Sequence, residues 1–205
     1  MIGIIDYGSG NLRVFVNVYK SLGRDLIIIN KPEDLNKCTH IIMPGVSAWD
    51  TTLKFIGRFR DELYKCVIEN EVPFLGVCVA MQILATSGEE GIQNGMNWIS
   101  GKVKRIPTKM NNTHFGPGLP HMGWNVVQHD NKSSLMNGMP KNPEFYFLHS
   151  YYFDCTDSSN VIATAQHNSF KFPVIVKNNN IYGIQFHPEK SHNNGKIILD
   201  NFAKL

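Results

Sequence analysis

A cysteine, Cys78, lies where a buried strand is expected to turn into a helix. An apolar run over Pro73–Val77 predicts the strand, and Val79–Ala85 predicts the helix. Gly76 and Ala80, two residues before and after the cysteine, are small enough for the sharp turn of a nucleophile elbow. The free amides at the helix start would favour the thiolate and hold the negative oxygen that forms when sulfur attacks a carbonyl. The segment therefore predicts a nucleophile, although a small buried apolar residue fits Cys78 alone equally well.

A histidine and a glutamate follow the last apolar strand of the sequence. Ile181–Phe186 predicts that strand, and Pro188 ends it because proline cannot donate to a strand ladder. Residues two apart in an extended segment point the same way, so we expect the Glu189 carboxylate to orient the His187 imidazole. A cysteine, a histidine and an acid that fixes the histidine's tautomer are the parts of an acyl-transfer site. The alternative is a strand-end histidine beside a solvated carboxylate, because the sequence does not show that Cys78 and His187 meet.

The elements that must position these residues alternate between strand and helix in the first half of the chain. Apolar spacing predicts one helix over Leu12–Leu22 and a longer one over Leu53–Val67. From about Val103 the apolar runs are short and separated by turn residues, which is typical of strands. We predict an α/β fold, a three-layer sandwich with a mostly parallel central sheet and an added antiparallel portion, in a single domain over residues 1–205. The predicted strands are Met1–Ile5, Leu26–Ile29, Ile41–Met43, Pro73–Val77, Val103–Ile106, Trp124–Gln128, Phe145–Leu148, Tyr151–Phe153, Val161–Ala165, Pro173–Lys177 and Ile181–Phe186, and a final helix carries Ile197, Ile198, Phe202 and Leu205.

The composition excludes several classes of protein. Of the 205 residues, 42% are hydrophobic and 18% charged, and the formal net charge of +3 is spread evenly, which does not favour a nucleic-acid partner. The longest mainly apolar run is shorter than the roughly 18 residues that a membrane span needs, and no export signal is present. Four scattered cysteines suit a reducing cytoplasm. No metal-ligand spacing occurs, so we expect no metal and no cofactor, and interpret His114, His121 and His129 as solvated or capping histidines.

The elbow and the His-Pro-Glu segment together resemble the class I, or triad, glutamine amidotransferases, whose glutaminase domains carry G-x-C-x-G and a C-terminal His-Pro-Glu. Within that family, five motifs spread over almost the whole chain are similar to the glutaminase subunits that serve a cyclase of histidine biosynthesis. Two positions depart from the family pattern, because Ala80 replaces the second glycine of the elbow and Ser47 replaces the last glycine of a Pro-Gly-Val-Gly loop. The five motifs are Asp6–Leu12, Pro44–Val46, Leu119–Asn125, His149–Tyr151 and His187–Ser191.

The resemblance implies a role for each matching residue. Cys78 would attack the side-chain amide of L-glutamine, His187 would protonate the departing ammonia, and water would release glutamate from the thioester. Glu189 would orient His187. The positions that match the family's oxyanion hole are Gly45, Val46 and Val79, and those that match its glutamine-binding residues are Gln82, Glu90, His149, Ser150 and Tyr151.

The resemblance also implies a partner. In the family, ammonia passes into a (β/α)8-barrel cyclase that makes imidazole glycerol phosphate and AICAR, and the two subunits form a heterodimer. A covering partner is physically reasonable, since ammonia released into water at neutral pH is largely protonated. Ser47 lacks glycine's backbone freedom, so we expect low glutaminase activity from the isolated chain. The positions that match docking residues are Asn11, Trp124, Tyr146 and Lys190, for which a packed tryptophan and a solvated lysine are the alternatives.

Other functions stay open at this point. Paralogous subunits supply ammonia for sugar amidation in surface polysaccharide biosynthesis of the O-antigen type, and Asn97–Ile99 and Ser191–Gly195 are similar to that branch. A dinucleotide site is not favoured, because Arg13 occupies the third glycine position after Gly8. A cysteine peptidase and a catalytically inactive interaction subunit are further alternatives. Gln82 argues against the first, and the intact cysteine, histidine and glutamate argue against the second.

Overall fold

The computed structural model describes residues 1–8, 10–110, 113–114, 118–130 and 132–205, with backbone alone for 109–110 and 113–114. Ser9 of the first motif and the side chain of His114 fall outside the described part. The strands are β1 (Ile2–Ile5), β2 (Leu26–Ile29), β3 (His40–Met43), β4 (Phe74–Val77), β5 (Ser87–Gly88), β6 (Gly101–Arg105), β7 (Lys109–Met110), β8 (Thr113–His114), β9 (His121–His129), β10 (Glu144–His149), β11 (Tyr151–Cys155), β12 (Val161–His167), β13 (Phe170–Asn178) and β14 (Ile181–Ile184). The α-helices are α1 (Leu12–Ser21), α2 (Trp49–Ile56), α3 (Arg60–Tyr64), α4 (Val79–Gln82) and α5 (His192–Phe202).

Within the described residues, nine strands form one sheet in the order β2-β1-β3-β4-β14-β13-β12-β9-β10. The neighbours from β2 to β14 are parallel, and those from β14 to β10 are antiparallel. The predicted α/β fold is confirmed, and the antiparallel portion continues the parallel portion edge to edge. A smaller sheet has the order β11-β6-β5, and β7 pairs with β8.

The core lies on both faces of the large sheet. Because successive strand residues point to opposite faces, Ile4 packs with Phe15 of α1 and Phe202 of α5, whereas Ile5 packs with Trp49 of α2. The small sheet shares the second face, where Phe153, Val103 and their neighbours join the same apolar cluster as Trp49. The sheet is therefore covered on both sides, as its parallel strands require.

The single long helix predicted over Leu53–Val67 is wrong. Instead, α2 passes through a 3-10 turn at Gly57–Phe59 into α3, and a π-helical turn follows at Lys65–Glu69. Phe59 in the 3-10 turn and Val67 in the π-helical turn are both completely buried. Burial of the apolar face thus outweighs uniform α-helical hydrogen bonding. In the described parts of the chain, no helix is long and apolar enough to cross a membrane.

Candidate active site

Three neighbouring parallel strands carry the predicted chemistry to one edge of the large sheet. Val77, the last residue of β4, lies opposite Ile184, the last residue of β14, and the Cys78 amide donates to the Ile184 carbonyl at 2.8 Å. His187 follows β14, and on the other side of β4 the strand β3 leads into Pro44 and the residues after it. The carboxyl ends of adjacent parallel strands meet at the same edge, which is the usual place for a ligand site in such sheets. Strand pairing thus brings together Cys78 and His187, which the sequence alone left apart.

The backbone at Cys78 has φ +57° and ψ −115°, a conformation that residues other than glycine seldom adopt. The elbow is also tightly packed. A Cβ at Gly76 would lie 2.7 Å from the Ala80 carbonyl oxygen, and a Cβ at Gly45 would lie 2.5 Å from Val79 Cγ1. Both positions therefore require glycine, because neighbouring segments of the protein come too close for a side chain. Ala80 itself is fully buried, so its extra methyl group is accommodated.

The helix after Cys78 is shorter than predicted, since α4 covers Val79–Gln82 and not Val79–Ala85. The Ile83 amide still bonds to the Val79 carbonyl, but the chain then turns away and is not helical at Ala85. One helical turn supplies local N–H groups and little macrodipole. Negative charge at the sulfur or at a developing oxyanion is therefore stabilised by individual nearby donors, such as amides of the elbow and the neighbouring imidazole, and not by a macrodipole.

His187 lies between Cys78 and Glu189. Its Nδ1 is 2.9 Å from Glu189 Oε1, and the ring also hydrogen-bonds with Cys78. Burial disfavours a charged ring, but the hydrogen bonds and negative charge at Cys78 and Glu189 outweigh burial and raise the pKa of His187 to about 10. The site therefore favours an imidazolium held between the sulfur and a carboxylate at neutral pH.

The contact between His187 and Glu189 has a different cause from the predicted one. His187 is extended, with φ −95° and ψ 96°, but Pro188–Lys190 forms a 3-10 turn, so the two residues are not two apart on one strand. The turn folds the carboxylate back onto the ring. His187 is anchored by its amide, which donates to the Tyr146 carbonyl at 2.9 Å.

The sulfur of Cys78 has two further polar neighbours. It lies 3.9 Å from the Leu148 carbonyl oxygen and 3.7 Å from Gln185 Nε2. All four cysteines are free thiols, and burial raises the pKa of Cys38 to about 11 and that of Cys155 to about 12. These two thiols stay protonated at neutral pH and are poor nucleophiles. Cys78 is the cysteine that lies beside a carboxylate-bound imidazole.

A cleft of about 270 Å³ opens over Cys78. This volume is near the lower end of the range of about 300–1,000 Å³ for small-molecule sites, so it suits a small metabolite. Of the predicted catalytic, oxyanion and glutamine-binding residues, two do not line the cleft. Gly45 lies against Val79, and Glu189 lies against His187. The lining residues are Val46, Ser47, Ala48, Cys78, Val79, Gln82, Glu90, Leu148, His149, Ser150, Tyr151 and His187.

Two polar side chains of the cleft differ in how they are held. Glu90 Oε2 accepts a hydrogen bond from the Trp49 amide at 3.2 Å, and burial raises the pKa of this carboxyl. Gln82 uses both of its amide hydrogens inside the protein, donating to the Tyr151 carbonyl at 3.1 Å and to Gln185 Oε1 at 2.9 Å. A carboxylate at the mouth of the cleft offers a partner for an amino group, whereas Gln82 offers its carbonyl oxygen to a ligand.

Three of the four residues predicted to dock a partner, Trp124, Tyr146 and Lys190, lie together near this cleft. Trp124 is 46% exposed, and its ring centroid lies 6.1 Å from that of Tyr146 and 5.0 Å from the stacked ring of His192. Lys190 Nζ lies 5.4 Å over the Tyr146 ring. Asn11 is exposed directly before α1, and its side chain makes no capping hydrogen bond.

Sequence reasoning missed two apolar residues of this surface, Met122 and Leu148. They are 65% and 39% exposed and lie opposite each other in the β9–β10 pair, as Trp124 and Tyr146 do. The signal was available, because Met122 and Trp124 are two apart on one strand and must share a face. The exposed apolar surface therefore extends to Leu148, which also lines the cleft.

The interpretation of His121 as a solvated or capping histidine is wrong. Its ring is buried, with Nδ1 2.9 Å from His149 Nε2, because β9 and β10 place these two residues opposite each other. His129 is half-buried, and its Nε2 lies 3.1 Å from the Pro140 carbonyl oxygen. Among the described side chains, no group of three or more His, Cys, Asp or Glu is placed to hold a metal ion. Gln185 was also missed, although a polar residue inside an apolar run signals a buried hydrogen-bond role.

The fold and the site define a class of protein. A crystal structure described as that of a glutamine amidotransferase has a TM-score of 0.75 with this chain, at 19% identity, and the match covers 99% of this chain and 97% of that one. The model of the family "Glutamine amidotransferase class-I" matches residues 3–205. The chain belongs to the class I glutamine amidotransferase family.

Relatives of known name show which branch of that family this chain resembles. A Leptospira interrogans protein named imidazole glycerol phosphate synthase subunit HisH is 46% identical over 207 residues, and its Leptospira borgpetersenii namesake is 45% identical. Both matches cover the whole of this chain and the whole of the relative. The resemblance inferred from the five sequence motifs is thereby confirmed.

Proposed function

We propose that this protein hydrolyses L-glutamine to glutamate and ammonia, with residues 1–205 acting as one domain. The observation that carries the proposal is the contact of His187 with both Cys78 and Glu189 at a small cleft. A cysteine on a strained elbow, beside an imidazole fixed by a buried carboxylate, has the geometry of covalent acyl transfer. Full-length similarity to class I glutamine amidotransferases supports glutamine as the acyl donor.

The reaction follows from the positions of these groups. The Cys78 sulfur attacks the side-chain amide carbon (Cδ) of glutamine, and the carbonyl π-electrons move to oxygen. When the tetrahedral intermediate collapses, the carbon–nitrogen bond breaks and His187 gives its proton to the departing nitrogen, which leaves as ammonia. His187 then takes a proton from water as the water attacks the thioester. Collapse of the second intermediate releases glutamate and restores Cys78. Glu189 keeps Nδ1 of His187 protonated, so that Nε2 faces the reaction.

We assign the oxyanion hole to backbone N–H groups of the two loops that meet at the elbow. The Val79 amide is the first after the nucleophile, and Gly45 approaches Val79 so closely that the two loops form one wall. The Tyr7 hydroxyl donates to the Pro44 carbonyl at 2.6 Å and so fixes the peptide before Gly45. Removal of a single oxyanion donor typically lowers the rate about 10²–10³-fold, so we expect the position of this wall to affect the rate of hydrolysis strongly.

We assign the ends of the substrate to opposite sides of the cleft. Glu90 is the carboxylate placed to receive the α-amino group. Gln82 and the backbone of His149, Ser150 and Tyr151 line the rest of the cleft and offer polar groups to the remaining atoms of glutamine. These assignments agree with the positions that the family resemblance implies.

We further propose that the ammonia passes to a (β/α)8-barrel cyclase in a cytoplasmic heterodimer of histidine biosynthesis. Support comes from the names of the full-length relatives, each a subunit of imidazole glycerol phosphate synthase, and from the exposed apolar surface around Trp124 beside the cleft. The polysaccharide branch is not favoured, because these relatives match the whole chain at 45–46% identity.

Glutamate release by the purified protein tests the catalytic proposal. Cys78→Ala removes the nucleophile, and we expect activity to fall at least about 10³-fold because no other group in the cleft forms the thioester. Cys155→Ala is the matched control, since Cys155 is a free thiol outside the cleft, and it should keep the wild-type rate. Equal losses in both variants, or undiminished turnover by Cys78→Ala, would overturn the proposal.

A further inference from the structure

Two buried histidines connect the cleft with the strand that carries the exposed tryptophan. His149 Nδ1 lies 2.8 Å from the Tyr151 carbonyl oxygen, and its Nε2 lies 2.9 Å from His121 Nδ1. At the other end, His121 Nε2 lies 3.1 Å from Asn125 Nδ2. His121 and Asn125 have no part in the mechanism described above.

The groups at the two ends of this hydrogen-bonded series, the Tyr151 carbonyl and the Asn125 amide, determine which atom donates in each bond. The Tyr151 carbonyl can only accept, so His149 Nδ1 carries a proton and donates it. In a neutral ring, His149 Nε2 then accepts, which makes His121 Nδ1 the donor of the next bond. His121 Nε2 accepts in turn from Asn125 Nδ2, and the same amide also donates to the Gln166 carbonyl at 2.9 Å, which fixes its orientation.

Both rings are neutral at neutral pH. Burial is the main cause, and it lowers the pKa of His149 to about 3 and that of His121 to about 4. The other titratable groups facing them are the imidazoles of His167 and His187, which also disfavour added positive charge. The rings of Phe147 and Phe172 pack against both histidines.

This series of hydrogen bonds ends at the Tyr151 carbonyl, which is also linked to Cys78 through two glutamine side chains. Besides His149 Nδ1, the Tyr151 carbonyl accepts from Gln82 Nε2 at 3.1 Å. Gln82 donates its other hydrogen to Gln185 Oε1, and Gln185 Nε2 lies 3.7 Å from Cys78 Sγ. A shift of the Tyr151 carbonyl would therefore move the cleft wall and the amides behind the sulfur together.

We propose that His121 and Asn125 are positioning residues of the glutamine site, which hold His149 in one tautomer and thereby fix the Tyr151 carbonyl and the wall of the cleft formed by residues 148–151. The inference rests on the proposed glutaminase function. It assigns a role to a histidine that touches neither the sulfur nor the cleft.

The test measures labelling of Cys78 in the intact protein by two reagents. A diazoketone analogue of glutamine must bind in the cleft before it alkylates, whereas iodoacetamide needs only a reactive thiol. In His121→Phe, which keeps an aromatic ring but breaks both hydrogen bonds, we expect the analogue's saturation constant to rise about tenfold, the equivalent of about one lost buried hydrogen bond. The iodoacetamide rate should change far less than the analogue's saturation constant, because Cys78, His187 and Glu189 are intact and only the amides behind the sulfur shift.

Two variants serve as controls. His121→Gln can still accept from Asn125 and donate to His149, so its saturation constant should return close to the wild-type value. His129→Phe makes the same change on the same strand at a histidine away from the cleft, and it should behave like the wild type. An unchanged constant in His121→Phe, with saturable labelling of the wild type, overturns the inference alone. Absence of saturable labelling in the wild type overturns the glutaminase proposal and the inference together.

A second measurement needs no variant. Nitrogen-15 NMR of the wild-type imidazoles at neutral pH should show His121 and His149 as neutral rings, each protonated at Nδ1. Protonation of either ring at Nε2 reverses the chain of donors and overturns the inference.

Discussion

His187 Nδ1 lies 2.9 Å from Glu189 Oε1, and both side chains are almost completely buried. Glu189→Gln keeps the shape of this contact and removes the charge. We expect kcat to fall about 10²-fold, the scale of a misplaced general acid–base. The pKa of His187 should fall as well, because one of the groups that raise it is lost. Steady-state glutaminase kinetics and the pH dependence of Cys78 alkylation measure these two effects. An unchanged pH profile would show that the carboxylate does not act on the ring.

Gly45→Ala tests the close packing of the two loops at the elbow. The added methyl group would meet Val79 Cγ1 at 2.5 Å and the Tyr7 hydroxyl at 2.8 Å, so we expect a loss of about 1–3 kcal/mol in the free energy of unfolding from overpacking. Glutamine hydrolysis should fall because Val79 is displaced. Gly57→Ala is the matched control, since no atom of the described residues lies within 4 Å of its new methyl group and its backbone is helical. That variant should be neutral or slightly more stable, and urea unfolding of both proteins decides the matter.

Much of the parallel half of the fold could be predicted because its strands are short apolar runs, buried at the centre of the sheet as in Ile2–Ile5 and partly exposed at the edge as in Leu26–Ile29. The meeting of Cys78 and His187 could not, since it depends on β4 pairing with β14, and no local pattern specifies a neighbour so distant in sequence. His121 shows the same limit. An imidazole is buried only if hydrogen-bond partners are supplied, and here one of them, His149, comes from the paired strand β10.

The two buried neutral histidines predict a loss of stability in acid. Their pKa values in the folded protein lie below the unfolded value of about 6.5, so the unfolded state binds more protons as the pH falls from about 6.5 to 4. The free energy of unfolding should therefore fall by about 1.4 kcal/mol per pH unit for each histidine in that window. His187 acts oppositely, because its raised pKa contributes stability below about 6.5 that is lost as the pH rises towards 10.

Urea unfolding at several pH values checks this prediction. His121→Phe should lower the acid slope, since one of the two depressed groups is gone. Glu189→Gln should leave the acid slope unchanged and flatten the alkaline one. An acid slope identical in the wild type and His121→Phe would contradict the assignment of a neutral buried ring at position 121.

The exposed aromatic surface predicts where the partner binds. Trp124→Ala removes a half-exposed ring that stacks on His192, and loss of such an anchor typically weakens a complex by about 2 kcal/mol or more. We therefore expect the dissociation constant for the cyclase to rise at least about 30-fold. Ile92→Ala is the control, because Ile92 is almost fully exposed and does not line the cleft. Equal affinity of both variants in a calorimetric titration would place the interface elsewhere.

The most direct test of the whole account is the rate of glutamate release by the purified protein, alone and with the cyclase subunit of the same organism and that cyclase's nucleotide ligand. The account predicts slow release by the isolated chain, because a serine at position 47 has less backbone freedom than a glycine, and a large stimulation in the complex that Cys78→Ala abolishes. No stimulation, while the cyclase itself works with free ammonia, would contradict the assignment to histidine biosynthesis.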